Sequence, residues 1–65
     1  MVEMKAELDG QTVVTENVDT NSTTFWNVTF SGSGLGTAKI YMNNYIYKVY
    51  QIDFMENLAN PISDF

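Results

Sequence analysis

The chain of 65 residues has no cysteine, no histidine and no arginine, and sets three lysines (Lys5, Lys39, Lys48) against eight carboxylates. Each absence removes a class of chemistry. Without cysteine there is no disulfide, no thiolate metal site and no thiol nucleophile. Without histidine the commonest neutral metal ligand and the commonest general base are missing. Three scattered lysines in a chain of net charge −5 offer little with which to neutralise phosphates, so direct binding of DNA or RNA is not expected. An anionic membrane surface is disfavoured on the same ground. No apolar run reaches the roughly 18–20 residues that span a bilayer. The opening MVEMKAELDG alternates and carries acids, unlike a secretory signal, so a cytoplasmic protein is expected. The sequons Asn21-Ser22-Thr23 and Asn27-Val28-Thr29 then read as polar β sequence.

Size sets a further bound. A chain of this length is one domain at most and buries only about 60% of the surface its unfolded form exposes. Such domains commonly lean on a disulfide, a metal or a partner subunit. Tight packing or a homo-oligomer is what this composition leaves, with no cofactor and no metal expected.

What is present is β pattern. Residues 2–9 alternate, with Val2, Met4, Ala6 and Leu8 on one face and Glu3, Lys5, Glu7 and Asp9 on the other. Period two over eight residues predicts a half-buried strand. Asp9-Gly10 is a strong hairpin signal, and residues 11–18 (QTVVTENV) read as the return strand. A two-residue loop there sets Glu16 opposite Glu3, so a longer loop is expected to relieve the like charges. Residues 23–30 (TTFWNVTF) predict a third strand, with Trp26, Val28 and Phe30 inward and Phe25, Asn27 and Thr29 outward. Gly32, Gly34 and Gly36 break it. Residues 37–42 and 45–52 predict two more strands around Asn43-Asn44, a pair that tolerates the positive φ of a primed turn. Residues 53–60 (DFMENLAN) change period: Asp53 and Glu56 resemble a capping box, with Phe54 and Leu58 at i and i+4. A short helix is expected there, stopping before Pro61. The expected fold is all-β: a small antiparallel meander of four or five strands, curling toward a small barrel, with one short C-terminal helix. Residues 1–60 form the single domain and 61–65 a tail; no internal repeat is visible.

The catalytic and ligand-binding motifs fail in identifiable ways. Gly32, Gly34 and Gly36 space as G-x-G-x-G, precede a strand rather than a helix, and lack the dipole site that holds pyrophosphate. Asp19, Asn21 and Thr23 begin like a calcium loop, but Thr24 and Phe30 stand where the bending glycine and the closing glutamate belong. Glu3 and Glu7 are paired carboxylates on a solvent face with no cleft to hold a substrate between them. An enzyme is not expected.

Two features remain as candidate sites. The acids Glu3, Glu7, Asp9, Glu16 and Asp19 fall in the first hairpin and its exit, and form a candidate acidic recognition face for a partner with a basic surface. Residues 41–50 (YMNNYIYKVY) hold Tyr41, Tyr45, Tyr47 and Tyr50. A two-residue turn at Asn43-Asn44 puts Ala38, Ile40, Met42, Tyr45, Tyr47 and Val49 on one face and Tyr41, Ile46, Tyr50 and Ile52 on the other. Both faces are substantially apolar, so each needs a cover. Tyrosine suits an interface because it offers a large ring and a polar tip. In size and composition the chain resembles small acidic phage-encoded proteins that block host enzymes or defence complexes, although no motif carries a residue role across. The expected function is binding and inhibition or regulation of a larger protein, in its sharper form by imitating nucleic acid. The alternative is a self-assembling virion or scaffold module.

Overall fold

The computed structural model describes residues 1–55, 58–59 and 62–64. Strand β1 (Val2–Leu8) and β2 (Gln11–Val18) form the first hairpin; β3 (Phe25–Asn27) and β4 (Phe30–Ser31) follow. β5 (Leu35–Met42) and β6 (Tyr45–Asp53) form the second hairpin, and β7 (Leu58–Ala59) and β8 (Ile62–Asp64) come last. The main sheet is antiparallel in the order β2-β1-β5-β6, so β5 returns to lie beside β1 and not beside β2. β3 pairs with β8 and β4 with β7 as two small antiparallel ladders. The β-dominated antiparallel expectation stands, and among the described residues the sheet is open rather than closed. The helix expected over 53–60 runs through Glu56, Asn57 and Asn60, which lie outside the described residues; of the rest, Asp53 belongs to β6 and Leu58–Ala59 pairs with β4. Of the expected tail 61–65, Ile62–Asp64 forms β8.

The core lies on one face of the main sheet. Met4, Ala6, Ala38 and Ile40 from the central strands are buried with Val18 and Ile52 from the edges. Trp26, Val28 and Phe30 cover them, as the alternation of residues 23–30 predicts, while Phe25, Asn27 and Thr29 stay exposed. Phe54 completes the cover. Full burial of each large side chain contributes about 1.5–3 kcal/mol.

The two hairpins are copies of one backbone design. Each turns on two residues at positive φ: Asp9 (50°) and Gly10 (83°) in the first, Asn43 (50°) and Asn44 (69°) in the second. This is the primed turn whose twist suits paired strands. Each then inserts one extra residue in its return strand, Val13 in β2 and Tyr47 in β6, where the pairing register shifts. Every pair of the first hairpin, from Leu8–Gln11 to Val2–Val18, has a counterpart 34 positions on, from Met42–Tyr45 to Gly36–Ile52. The hairpins meet across β1 and β5 about the Ala6–Ile40 pair. The joint is closed twice in the same way. Asp9 N–H donates to the Thr37 carbonyl (2.9 Å) and Asn43 N–H to the Glu3 carbonyl (2.8 Å). In return Thr37 N–H donates to Asp9 Oδ1 and Glu3 N–H to Asn43 Oδ1, both at 2.9 Å. The sheet therefore has an internal pseudo-two-fold axis through Ala6 and Ile40.

The bulges revise two sequence expectations. The first loop keeps two residues; the bulge at Val13, not a longer loop, moves Glu16 opposite Met4 and leaves Glu3 opposite Asn17. The bulge at Tyr47 reverses the faces of the rest of β6. Tyr50 pairs with Ala38 and Ile52 with Gly36 on the core side, while Val49 pairs with Lys39 on the outer side. The extra residue in each strand is a β-bulge, which resets a period of two by one.

Candidate functional site

The candidate site is the exposed surface of the β5–β6 hairpin. β6 is an edge of the main sheet. Along it Tyr45 is 79% exposed, Ile46 59%, Tyr47 36% and Val49 51%. Lys48 Nζ lies 5.6 Å from the centre of the Tyr47 ring. Tyr41, opposite Ile46, is half-buried on the outer face. Its hydroxyl donates to Glu7 Oε1 (3.3 Å), and Lys5 Nζ stands 4.5 Å from its ring centre and 3.5 Å from Glu7 Oε2. Such a cation over a ring contributes about 0.5–1 kcal/mol at a partly exposed site. Tyr50 is half-buried and packs against the core.

The four tyrosines thus divide. Tyr45 and Tyr47 are exposed along β6 with Ile46 and Val49, Ile46 and Val49 on the outer face and Tyr45 opposite Met42 on the core-facing side; Tyr41 joins a polar cluster and Tyr50 supports the core. Sequence periodicity placed Ile46 and Val49 on opposite faces and missed that they share one. The signal that would have united them is the extra residue at Tyr47, which no side-chain pattern marks.

The pseudo-symmetry supplies an internal comparison. The positions in the first hairpin equivalent to Tyr45, Ile46, Tyr47 and Val49 hold Gln11, Thr12, Val13 and Thr15. The same backbone sites accept smaller or more polar residues, so folding of a hairpin of this shape does not itself demand four large apolar groups there.

The acids do not gather into one face. Glu16 accepts the Trp26 indole N–H at 3.0 Å. Asp9 accepts the Thr37 N–H, and Asp19 Oδ1 accepts the Asn21 N–H at 3.0 Å within a turn. Glu7 is 17% exposed and holds Lys5 and Tyr41. Glu3 lies on the outer face beside Asn43, to which its backbone is bonded. The structure brings Glu3 and Glu7 onto the face that carries Tyr41, and places Asp9, Glu16 and Asp19 apart from it. Among the described residues there is no cavity and no group of three carboxylates set to hold a cation. What these residues present is a surface. Comparison with protein families, with curated proteins and with solved structures finds no match.

Proposed function

We propose that the chain is a small non-catalytic protein that binds a larger protein and inhibits or regulates it by occupying its surface, with the β5–β6 hairpin as the contact. The observation that carries this reading is the exposed run Tyr45, Ile46, Tyr47 and Val49 on one edge strand, at sites where the equivalent hairpin carries Gln, Thr, Val and Thr. Aromatic anchors of this kind supply most of the binding energy in protein interfaces. The net charge of −5 suits a partner with a basic surface, mainly by steering the encounter. Occlusion is favoured over imitation of nucleic acid, because Glu7, Asp9, Glu16 and Asp19 each commit their carboxylate to an intramolecular bond. A phage-encoded inhibitor acting in a host cytoplasm fits this reading.

The test is a tagged pull-down from nuclease-treated lysate at low and high salt, with wild type and Tyr45→Ser. One stoichiometric protein, retained at high salt and lost with the variant, supports occlusion by the hairpin. Capture abolished by salt and by added DNA restores the nucleic-acid mimic. Capture unchanged by Tyr45→Ser moves the site elsewhere. A second reading, a self-assembling structural or scaffold module, is favoured by one observation: among the described residues β2 and β6 each have a strand neighbour in the main sheet on one side only.

A further inference from the structure

We propose that β6 is a strand with two registers: the bulge at Tyr47 can be expelled, and the rest of the strand then turns its opposite face to the core. The inference concerns the hairpin itself and stands whichever partner the exposed run meets.

One alternative register keeps the Asn43-Asn44 turn. In the structure Ile40, Lys39, Ala38, Thr37 and Gly36 pair with Lys48, Val49, Tyr50, Gln51 and Ile52. With Tyr47 absorbed into the ladder the same five residues pair with Tyr47, Lys48, Val49, Tyr50 and Gln51. A slip of one residue exchanges the two faces of a strand, and is strongly opposed where only one face is apolar. Neither face of β6 is polar. The observed register turns Tyr50 and Ile52 toward the core and leaves Val49 51% and Tyr47 36% exposed. The bulge-free register turns Tyr47 toward Ile40 and Val49 toward Ala38, and brings Tyr50 and Ile52 out. Each register offers the core one tyrosine and one β-branched residue.

The equivalent strand β2 shows what fixes a register. The same slip there sets Thr15 and Asn17 on the core side, opposite Met4 and Val2, and takes Val18, 7% exposed, out of the core. It also sets Glu16 opposite Glu3 and withdraws it from the Trp26 indole N–H. In β6 the opposing terms are fewer. Lys48 meets Lys39, Gln51 reaches the core side at Gly36 beside the Phe54 ring, and the Phe54 N–H bond to the Gly34 carbonyl must be remade. Those terms, with the contacts that Tyr47 and Tyr50 make in the structure, keep the observed register the major one. In the main sheet β6 has β5 as its one neighbour among the described residues, so a single ladder has to slip. The register decides what the outer face offers: Ile46 with Val49 in one state, Ile46 with Tyr50 and Ile52 in the other. A ligand shifts such an equilibrium by its differential affinity for the two states.

The experiment is relaxation-dispersion NMR on the full chain, followed by disulfide trapping. The expected result is a minor state of about 0.1–10%, with exchange confined to residues 47–54 and their partners on β5 and absent from Val13–Val18. Val49→Thr, benign on the exposed outer face, should lower that population about tenfold by placing a hydroxyl in the core of the minor state. Lys48→Glu, which faces Lys39 in the minor state, should raise it about fivefold. The chain has no cysteine, so an introduced pair is unambiguous. Lys39 and Lys48 point to opposite faces in the observed register, where no disulfide forms, and stand directly opposite each other in the bulge-free one. Lys5 and Val14 are the equivalent pair in the first hairpin, closing a loop of the same length. Under mild oxidation the Lys39→Cys/Lys48→Cys protein should cross-link at least about tenfold faster than the Lys5→Cys/Val14→Cys protein, read by the mass loss of two hydrogens. Equal rates overturn the inference, since both links then report general opening. So does a wild-type β6 without exchange, or exchange that Val49→Thr leaves unchanged.

Discussion

Gly36 should resist replacement by alanine, for a reason visible in its distances. A Cβ built there would stand 2.9 Å from Phe54 Cε2, 3.2 Å from Leu8 Cδ1 and 3.4 Å from Asp9 Oδ2. Gly32 meets the same ring, with its Cβ position 3.2 Å from Phe54 Cδ2. The ring is 3% exposed and its backbone is anchored, since Phe54 N–H donates to the Gly34 carbonyl at 2.8 Å. Gly36→Ala must therefore displace a seated aromatic side chain. Overpacking of this kind costs about 1–3 kcal/mol. The smaller entropy of the unfolded alanine chain offsets about 0.4–1 kcal/mol of that. The net loss is about 1–2 kcal/mol, and at roughly 4–8 °C per kcal/mol for a domain of this size Tm should fall by about 4–16 °C. The assay is urea unfolding followed by the fluorescence of Trp26, the single tryptophan, which is 6% exposed. Gly34→Ala is the contrast: it meets nothing within 4 Å but sits at φ +70°, so its cost is backbone strain of about 1–2 kcal/mol and is independent of Phe54. Gly36→Ala combined with Phe54→Leu should cost at least about 0.5 kcal/mol less than the two changes added. Additive costs, or a Gly36→Ala protein as stable as wild type, would refute the contact between Gly36 and the ring as the cause.

Other perturbations follow from single contacts. Glu16→Ala strands the part-buried Trp26 indole N–H and should cost about 1–3 kcal/mol, whereas Glu16→Gln keeps an acceptor and should cost less than half of that; urea midpoints at neutral pH compare them. Asn43→Ala removes the acceptor for the Glu3 N–H and puts alanine at φ 50°, for a loss of about 1.5–3 kcal/mol, while Asn44→Gly should be neutral or stabilising in a thermal melt. Ile40, 1% exposed on the pseudo-two-fold axis, should lose about 0.5–1.5 kcal/mol as valine and about 2–5 kcal/mol as alanine, enough in a domain this small to leave the alanine variant largely unfolded by circular dichroism.

The parts of the fold legible in the sequence were those set by period and by turn chemistry. The alternation through Val2, Met4, Ala6 and Leu8 and through Trp26, Val28 and Phe30 places side chains correctly because no extra residue interrupts either run. Asp9-Gly10 and Asn43-Asn44 announce their turns because few residue pairs accept positive φ twice in succession. The bulges were not legible. Val13 and Tyr47 are ordinary strand residues, and the cost of inserting one is offset only by what the reset register buries, Val14 and Val18 in one case and Tyr50 and Ile52 in the other. The pairing of β1 with β5 was hidden as well, since contacts across 34 positions leave no local trace. So was the pseudo-symmetry: of the seventeen equivalent positions in 2–18 and 36–52, only Lys5 and Lys39 are identical. The shared feature is a backbone path, and different side chains satisfy it. That hidden path is why the candidate site was only half seen, with its tyrosines named and Ile46 and Val49 set on opposite faces.

The same pseudo-symmetry allows function to be separated from folding in a single variant with four changes. Tyr45→Gln, Ile46→Thr, Tyr47→Val and Val49→Thr give the second hairpin the residues that the first hairpin already carries at equivalent sites. All four wild-type side chains are at least 36% exposed, so little core volume is lost. The turn, the bulge position and the buried Ala38, Ile40 and Ile52 are untouched. Cross-strand pairs at such sites contribute about 0.2–1 kcal/mol each, and threonine and valine retain β propensity, so the net change in stability should stay within about 1–2 kcal/mol. Binding should behave differently. If the four groups are the contact, their removal deletes the anchors while leaving the backbone edge in place. Affinity for any occupant should then fall by at least about a hundredfold, the equivalent of about 2–3 kcal/mol. Stability and binding must be measured on the same protein, because neither decides alone. A variant that melts like wild type and no longer binds shows that the apolar run serves recognition. A variant that unfolds shows that the run supports the sheet in a way the first hairpin does not need, and the internal comparison on which the proposed function rests is then mistaken.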